Sequence, residues 1–250
     1  MTQSIAIGIP ARMASTRFPD KPLALLHGQP MIAHVVNRAI QANVGPVVVA
    51  TDDQRIADVA LDTGARVFMS QHHHASGSDR LAEAFAHVDA DIIINVQGDE
   101  PLIDPAAIRA VIRPFADDKH LVMATLAHPL QRDEDLHDPN VVKVVCNARG
   151  RAMYFSRAAI PFPRRQTDNH QAWQHVGLYA YSREFLMQYS TLQDCPQGNS
   201  EQLEQLKVLY HGYEIAVTCG DFHTIGVDTP EDLRRAEALL VARVPPVFVK

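Results

Sequence analysis

Ile5-Ala6-Ile7-Gly8-Ile9-Pro10-Ala11-Arg12-Met13-Ala14-Ser15-Thr16-Arg17-Phe18-Pro19-Asp20-Lys21-Pro22 joins an apolar run of strand length, Ile5 to Ile9, to a loop rich in cations and hydroxyls. Arg12, Arg17 and Lys21 supply the charge, and Ser15 and Thr16 the hydroxyls. A planar guanidinium forks onto a pair of phosphate oxygens, while an ammonium adds a compact point charge. Such a loop directly after a strand suits a triphosphate whose charge redistributes during reaction. The simpler alternative is a solvated basic loop, and the rest of the chain has to decide between the two.

Working outward, strand and helix candidates alternate: Ile5 to Ile9, a helix over Pro30 to Asn43, Pro46 to Ala50, a helix over Gln54 to Thr63, then Arg66 to Met69. In the first helix Met31, Ile32, Val35, Val36, Ala39 and Ile40 build one broad apolar face. A helix over Asp79 to His87, the buried-strand run Ile92 to Val96 and a helix opening at Pro105 continue the pattern. This alternation predicts an α/β fold, a doubly wound and mostly parallel sheet covered by helices. From about Thr125 the apolar runs shorten to Val141–Val145, Ala152–Phe155 and Val176–Tyr181, split by the polar stretch Pro163 to Gln171. A helix over Glu201 to Tyr210, a strand over Glu214 to Val217 and a last helix follow, with Thr229 as N-cap, Pro230 at N1 and Asp232 at N3. The expectation is a single domain, 1–250, with an inserted substrate lobe at about 125–215.

Composition narrows the function classes. Of 250 residues, 46% are apolar and 21% charged, ordinary for a globular protein. No segment reaches the roughly 18 uncharged apolar residues of a membrane span, and Met1 to Ser4 runs into a strand without a signal-peptide pattern. A cytoplasmic protein without a membrane partner is expected. Cys146, Cys195 and Cys219 share no C-x-x-C spacing, so neither a disulfide framework nor a zinc site is indicated. The net charge of -6 weighs against nucleic acid as a partner and toward small anions met by local cations.

The sharpest acidic feature is Gln97-Gly98-Asp99-Glu100-Pro101, at the carboxyl end of an apolar strand. Ligands of open α/β sheets bind at that end. Gly-Asp alone is ordinary turn chemistry, but Asp228, in Gly226-Val227-Asp228-Thr229-Pro230-Glu231-Asp232, also lies between a strand candidate and a helix. Two carboxylates from separate loops make a Mg²⁺ clamp, completed by phosphate oxygens and water. Ser76-Gly77-Ser78-Asp79-Arg80 opens a helix whose N–H groups face a base edge, with a plain N-cap by Ser78 as the simpler account. His72, His73 and His74 lack the i, i+4 spacing of a helical metal site and read as an exposed loop. Arg157 with Arg164 or Arg165 is suited to a carboxylate. At least one of them is an ordinary surface arginine. His175 alone on a strand is more simply a core histidine, and Glu204 and Gln205 a solvated helix face.

Taken together, these ordered motifs resemble the 3-deoxy-manno-octulosonate cytidylyltransferases from Ile7 to about Leu239. The family patterns they resemble are A-R-x-x-S-[ST]-R-x-P-x-K-P, S-G-T-[DE]-R, Q-G-D-E-P, Y-F-S-R, R-H-[LIV]-G-[IL]-Y-[GA]-Y, L-E-Q-L and G-V-D-T-P-E-D. The resemblance implies a nucleotidyltransferase fold and a homodimer built through the lobe. The implied activity is transfer of CMP from CTP to 3-deoxy-manno-octulosonate, releasing pyrophosphate, for lipopolysaccharide biosynthesis. It assigns Pro10, Ala11, Arg12, Ser15, Thr16, Arg17, Lys21, Ser76, Gly77, Arg80 and Gln97 to CTP, with Arg12 and Lys21 at the triphosphate. Gln97, Arg157, Arg164, His175, Tyr179, Glu204 and Gln205 go to the sugar acid, and Asp99 and Asp228 to Mg²⁺. Departures are Asp20 for a glycine in the P-G-K-P turn, Lys207 for an arginine and Gly198 for a glutamate. These leave a related sugar acid as an alternative, an 8-amino octulosonate or an acylneuraminate type. A sugar-1-phosphate enzyme with a G-x-G-x-R loop is disfavoured, since no glycine lies between Gly8 and Gly28. A non-catalytic nucleotide-binding regulator is opposed by retention of both carboxylates.

Overall fold

The computed structural model describes residues 3–13, 18–74, 76–130, 132–164, 171–222 and 224–243. The first half runs β1 (Ile5–Ala11), β2 (Leu25–Leu26), β3 (Gln29–Pro30), α1 (Met31–Ala42), β4 (Val47–Thr51), α2 (Gln54–Asp62), β5 (Arg66–Met69), α3 (Gly77–Phe85), β6 (Ile92–Asn95), α4 (Pro105–Val111) and α5 (Pro114–Asp117). The second runs β7 (Met123–Pro129), α6 (Asp133–His137), β8 (Lys143–Cys146), β9 (Ala152–Ser156), β10 (Trp173–Ser182), α7 (Arg183–Tyr189), α8 (Pro196–Glu201), α9 (Leu206–Tyr210), β11 (Ile215–Cys219) and α10 (Pro230–Arg243).

The opening strand is the axis of the fold. β1 pairs in parallel with β4 on one side and β6 on the other, and β5 continues outward beyond β4. Its alternate residues serve two cores, as a parallel strand covered on both faces must. Ile7 and Ile9 pack with Val35, Val36 and Ile108 of α1 and α4, whereas Ala6 packs with Leu81 and Phe85 of α3. Beyond β6 the sheet order is β10, β7, β11. β10 runs antiparallel to both its neighbours, and β11 parallel to β7.

The segment expected as an inserted lobe is therefore woven into the sheet through β7, β10 and β11. What branches from it is the β8–β9 hairpin, attached to the first residues of β10 and bridged back to β11 at Arg151 and Ala216. One expected element needs correction. The helix over Glu201 to Tyr210 is two short helices, because Gln202 adopts a left-handed conformation (φ 53°, ψ 49°) that ends α8 before α9 begins. α3 also starts earlier than expected, with Ser76 rather than Ser78 as its cap.

A third, smaller cluster of Leu26, Met31, Leu102, Val227 and Ala236 seats the C-terminal α10 beside the loop after β1. The α1-to-β4 turn presses even closer on β1. A methyl group at Gly45 would lie 1.9 Å from the Ile5 carbonyl oxygen, so only glycine fits. Gly45→Ala is expected to lower stability by about 2 kcal/mol or more, a fall in Tm of roughly 5 °C, with little change in nucleotide affinity. A melting temperature equal to wild type would show that the turn yields freely.

Candidate active site

Lys21 is the centre of the site. It opens a single 3-10 turn, Lys21–Leu23, with Asp20 before it at φ 53° and ψ 24°, the left-handed conformation that aspartate tolerates in place of glycine. The Lys21 Nζ donates to Asp99 Oδ2 at 2.7 Å and to Asp228 Oδ1 at 3.0 Å. Burial alone would pull the ammonium down, but the charges and hydrogen bonds of the two aspartates outweigh it and hold its pKa above the ordinary value. The two carboxylate loops are also stitched together, since the Val227 N–H donates to the Asp99 carbonyl at 2.9 Å. Behind Asp228 a reciprocal cap fixes the start of α10. The Asp232 N–H donates to Thr229 Oγ1 at 3.2 Å, and the Thr229 N–H to Asp232 Oδ2 at 3.0 Å.

Beside this cluster lies a cavity of about 390 Å³ lined by Pro10, Ala11, Arg12, Lys21, Pro22, His74, Ser76, Gly77, Arg80, Gln97, Gly98, Asp99 and Asp228. The structure thus brings together most of the residues assigned to CTP and both carboxylates. Ser15, Thr16, Arg17 and Arg165 lie outside the described residues. Backbone approach shapes the wall: a methyl group at Gly98 would come within 2.9 Å of the Pro10 carbonyl oxygen. The Ser76 hydroxyl accepts from the Asp79 N–H at 3.1 Å, which caps α3. Buried Arg80 donates through Nη2 to Asp52 at 2.8 Å, while its Nη1 has no partner among the described residues.

Of the residues assigned to the sugar acid, Gln97 lines the cavity, Gln205 is buried, His175 and Tyr179 are half-buried and Glu204 is exposed. Gln97 donates through Nε2 to Asn95 Oδ1 at 3.3 Å, and Asn95 stands opposite Tyr179 in the β6–β10 register. The Tyr179 ring centroid is 5.4 Å from that of His175, which lies 5.0 Å from Phe155. The Thr125 hydroxyl lies 3.0 and 2.9 Å from the Val176 and Leu178 carbonyls across an irregularity in β10, and 3.0 Å from His175 Nε2. Burial lowers the His175 pKa to about 3, leaving a neutral imidazole at physiological pH. Burial likewise raises Glu204, opposed by Lys207 and reinforced by the charge of Asp79 on α3. Gln205 is buried, and its Nε2 has no partner among the described residues.

Two expected sugar residues are placed elsewhere. The Arg157 guanidinium donates to the carbonyls of Glu201, Pro139 and Gln202, tying the end of β9 to α8. Arg164 is exposed beside the undescribed segment 165–170. The histidine run also needs correction, for only His72 and His73 are exposed. His74 lines the cavity and, with His72, holds Glu83 through contacts of 2.6 and 3.0 Å. Against the upward pull of burial, these hydrogen bonds hold Glu83 at about 2.

Glu100 was quoted in its motif without a role, and its burial is visible only in three dimensions. It is 8% exposed, Oε2 has no partner among the described residues, and burial, then the charge of Asp99, raises its pKa to about 8. A carboxyl group protonated in the fold but ionised when unfolded loses its stabilising contribution as pH rises from about 4.5 toward 8. The Tm of Glu100→Gln relative to wild type should therefore climb steadily between pH 5 and pH 8.5 (a window of roughly this width follows from the linkage). A constant difference across that range would mean that Glu100 is ionised in the folded protein.

With this geometry in hand, the likeness to known proteins is specific. A cytidylyltransferase family model matches residues 5–215. A 3-deoxy-manno-octulosonate cytidylyltransferase of Syntrophotalea carbinolica is 49% identical over 246 residues, covering 95% of this chain and 98% of that protein. One from Solibacter usitatus is 46% identical, covering 98% and 97%. A CMP:2-keto-3-deoxy-manno-octonic acid synthetase solved in complex with CTP superposes with a TM-score of 0.91 at 42% identity, covering 96% of this chain and all of that one. A cytidylyltransferase from Leptospira borgpetersenii, at 16% identity and a TM-score of 0.66, shares the fold. This chain belongs to the 3-deoxy-manno-octulosonate cytidylyltransferase family.

Proposed function

We propose that the cavity at the ends of β1 and β6 transfers CMP from CTP to 3-deoxy-manno-octulosonate, a step of lipopolysaccharide biosynthesis. The observation that carries this reading is the convergence of Asp99 and Asp228 on one cation, Lys21 Nζ, at the wall of a cavity faced by Arg12 and Arg80. The anomeric hydroxyl of the sugar acid attacks the α-phosphorus, a new P–O bond forms, and the bond to the β-phosphate oxygen breaks to release pyrophosphate. Charge on the triphosphate is held by Arg12 and Lys21, with Arg17 in support. Arg80, through its unpartnered Nη1, and the N-terminal turn of α3 face the nucleoside. Gln97, Tyr179, neutral His175, Glu204 and Gln205 orient the sugar acid, so that catalysis rests on alignment and charge neutralisation.

The donor set fits Mg²⁺, because two carboxylates already share one cation and hard oxygen ligands from phosphate and water complete an octahedron. Asp99 and Asp228 would hold it. When bound it supplies neutralisation of the phosphates and lowers the pKa of a coordinated hydroxyl. We further infer a homodimer, supported by large apolar side chains exposed on β9, after it and on α9, namely Met153, Phe162 and Tyr210. A cytoplasmic setting is supported by three free thiols. No helix among the described residues is long and apolar enough to cross a membrane.

Pyrophosphate release with CTP and 3-deoxy-manno-octulosonate tests the reading, with UTP and an acylneuraminate as comparisons. CTP with the octulosonate should be strongly preferred. Asp99→Asn and Asp228→Asn should each lower kcat by about 10²-fold or more while the melting temperature stays near wild type, since both side chains are partly exposed on loops. Unchanged turnover in either variant removes that residue from the mechanism.

A further inference from the structure

Cys146 is the last residue of β8 and Cys219 the last of β11, far apart in sequence. Alternation along each strand places Cys146 on the face of Val144, and Cys219 on the face of Ile215 and Val217. Val144, Ile215 and Val217 belong to the same core cluster, against which Cys146 also packs. The Arg151–Ala216 bridge closes the β8–β9 hairpin onto β11, so the two inward faces meet. There the Cys146 thiol hydrogen-bonds that of Cys219. Both thiols are free, Cys146 half-buried and Cys219 exposed. Cys195, by contrast, is buried, and its sulfur accepts from the Gly198 N–H at 3.2 Å.

We propose that Cys146 and Cys219 are a redox modification site, a thiol pair that closes to an intramolecular disulfide on exposure to a peroxide and reopens with a thiol reductant. The accessible Cys219 attacks first. The hydrogen bond from Cys146 holds the Cys219 thiol below its ordinary pKa and pushes Cys146 up, so the exposed sulfur is the better source of thiolate. Its sulfur takes one peroxide oxygen as the O–O bond breaks, the other oxygen leaves as hydroxide and is protonated to water, and Cys219 becomes a sulfenic acid. Cys146 then gives up its proton and bonds to the Cys219 sulfur, and the sulfenic oxygen leaves as a second water. Two thiols supply two electrons, and one peroxide accepts them. The bond would staple β8 to β11, closing a chain segment that carries His175, Tyr179, Glu204 and Gln205.

The test treats the full chain with hydrogen peroxide, followed by non-reducing peptide mapping and a thiol titre. The expected result is a peptide pair joined through Cys146 and Cys219, lost on adding dithiothreitol, with Cys195 the thiol that remains. Cys146→Ser should stop Cys219 at a sulfenic acid that dimedone traps, and Cys219→Ser should leave Cys146 unreacted at the same dose. Absence of the joined peptide in the wild-type chain, a bond joining separate chains, or a bond through Cys195 would each overturn the proposal.

Discussion

Two carboxylates cannot share a small, partly desolvated volume unless a cation stands between them. At a few ångströms and an effective dielectric of about 20, each like-charge contact costs on the order of several kcal/mol. Lys21 supplies that cation, and the rest of the site depends on its position. Its loop is the exit from β1, Asp99 follows β6, the parallel neighbour of β1, and Asp228 is held at the start of α10. The parallel pairing places the first two loops at the same sheet edge by construction. The third is delivered by the small apolar cluster around Val227 and by the bond from the Val227 N–H to the Asp99 carbonyl. The ammonium bridges the two carboxylates that are proposed to hold Mg²⁺, and the same side chain is proposed to turn toward phosphate when nucleotide arrives.

Around this centre the site divides by polarity. The side proposed for the nucleotide is cationic, with Arg12 exposed and one nitrogen of Arg80 without a partner among the described residues. The side proposed for the sugar acid holds His175, kept neutral by burial, Tyr179, and buried Gln205, whose amide nitrogen has no partner among the described residues. Buried polar atoms without partners are uncommon in native proteins because each costs about 1–3 kcal/mol. Of the two, Arg80 lines the cavity.

Much of this was legible in the sequence for a definite reason. Parallel strands buried on both faces leave unmistakable apolar runs, so Ile5 to Ile9 and Ile92 to Val96 fixed the central pairing, and the loops after them had to share an edge. The αL geometry of Asp20 followed from its standing in for glycine. Long-range effects were less visible. Glu201 to Tyr210 has helical composition, yet Gln202 turns left-handed and splits it, which buries Gln205 instead of leaving it on a solvated face. Arg157 looks like an anion receptor until its guanidinium is seen spent on three carbonyls. His74 is one of three adjacent histidines in the chain, and only the fold separates it from the other two, by turning it half-buried to the cavity wall while His72 and His73 stay exposed.

The most direct test of the Lys21 account is calorimetric titration of Mg²⁺ into the nucleotide-free wild-type chain and into Lys21→Met. If the ammonium occupies the shared position of Asp99 and Asp228, the wild-type chain should bind Mg²⁺ weakly until CTP is present. The variant, which keeps both carboxylates and loses this ammonium, should bind it about tenfold or more tightly without nucleotide. Equal Mg²⁺ affinity in the two proteins would contradict the central claim, because the lysine would then not be competing for the metal's place.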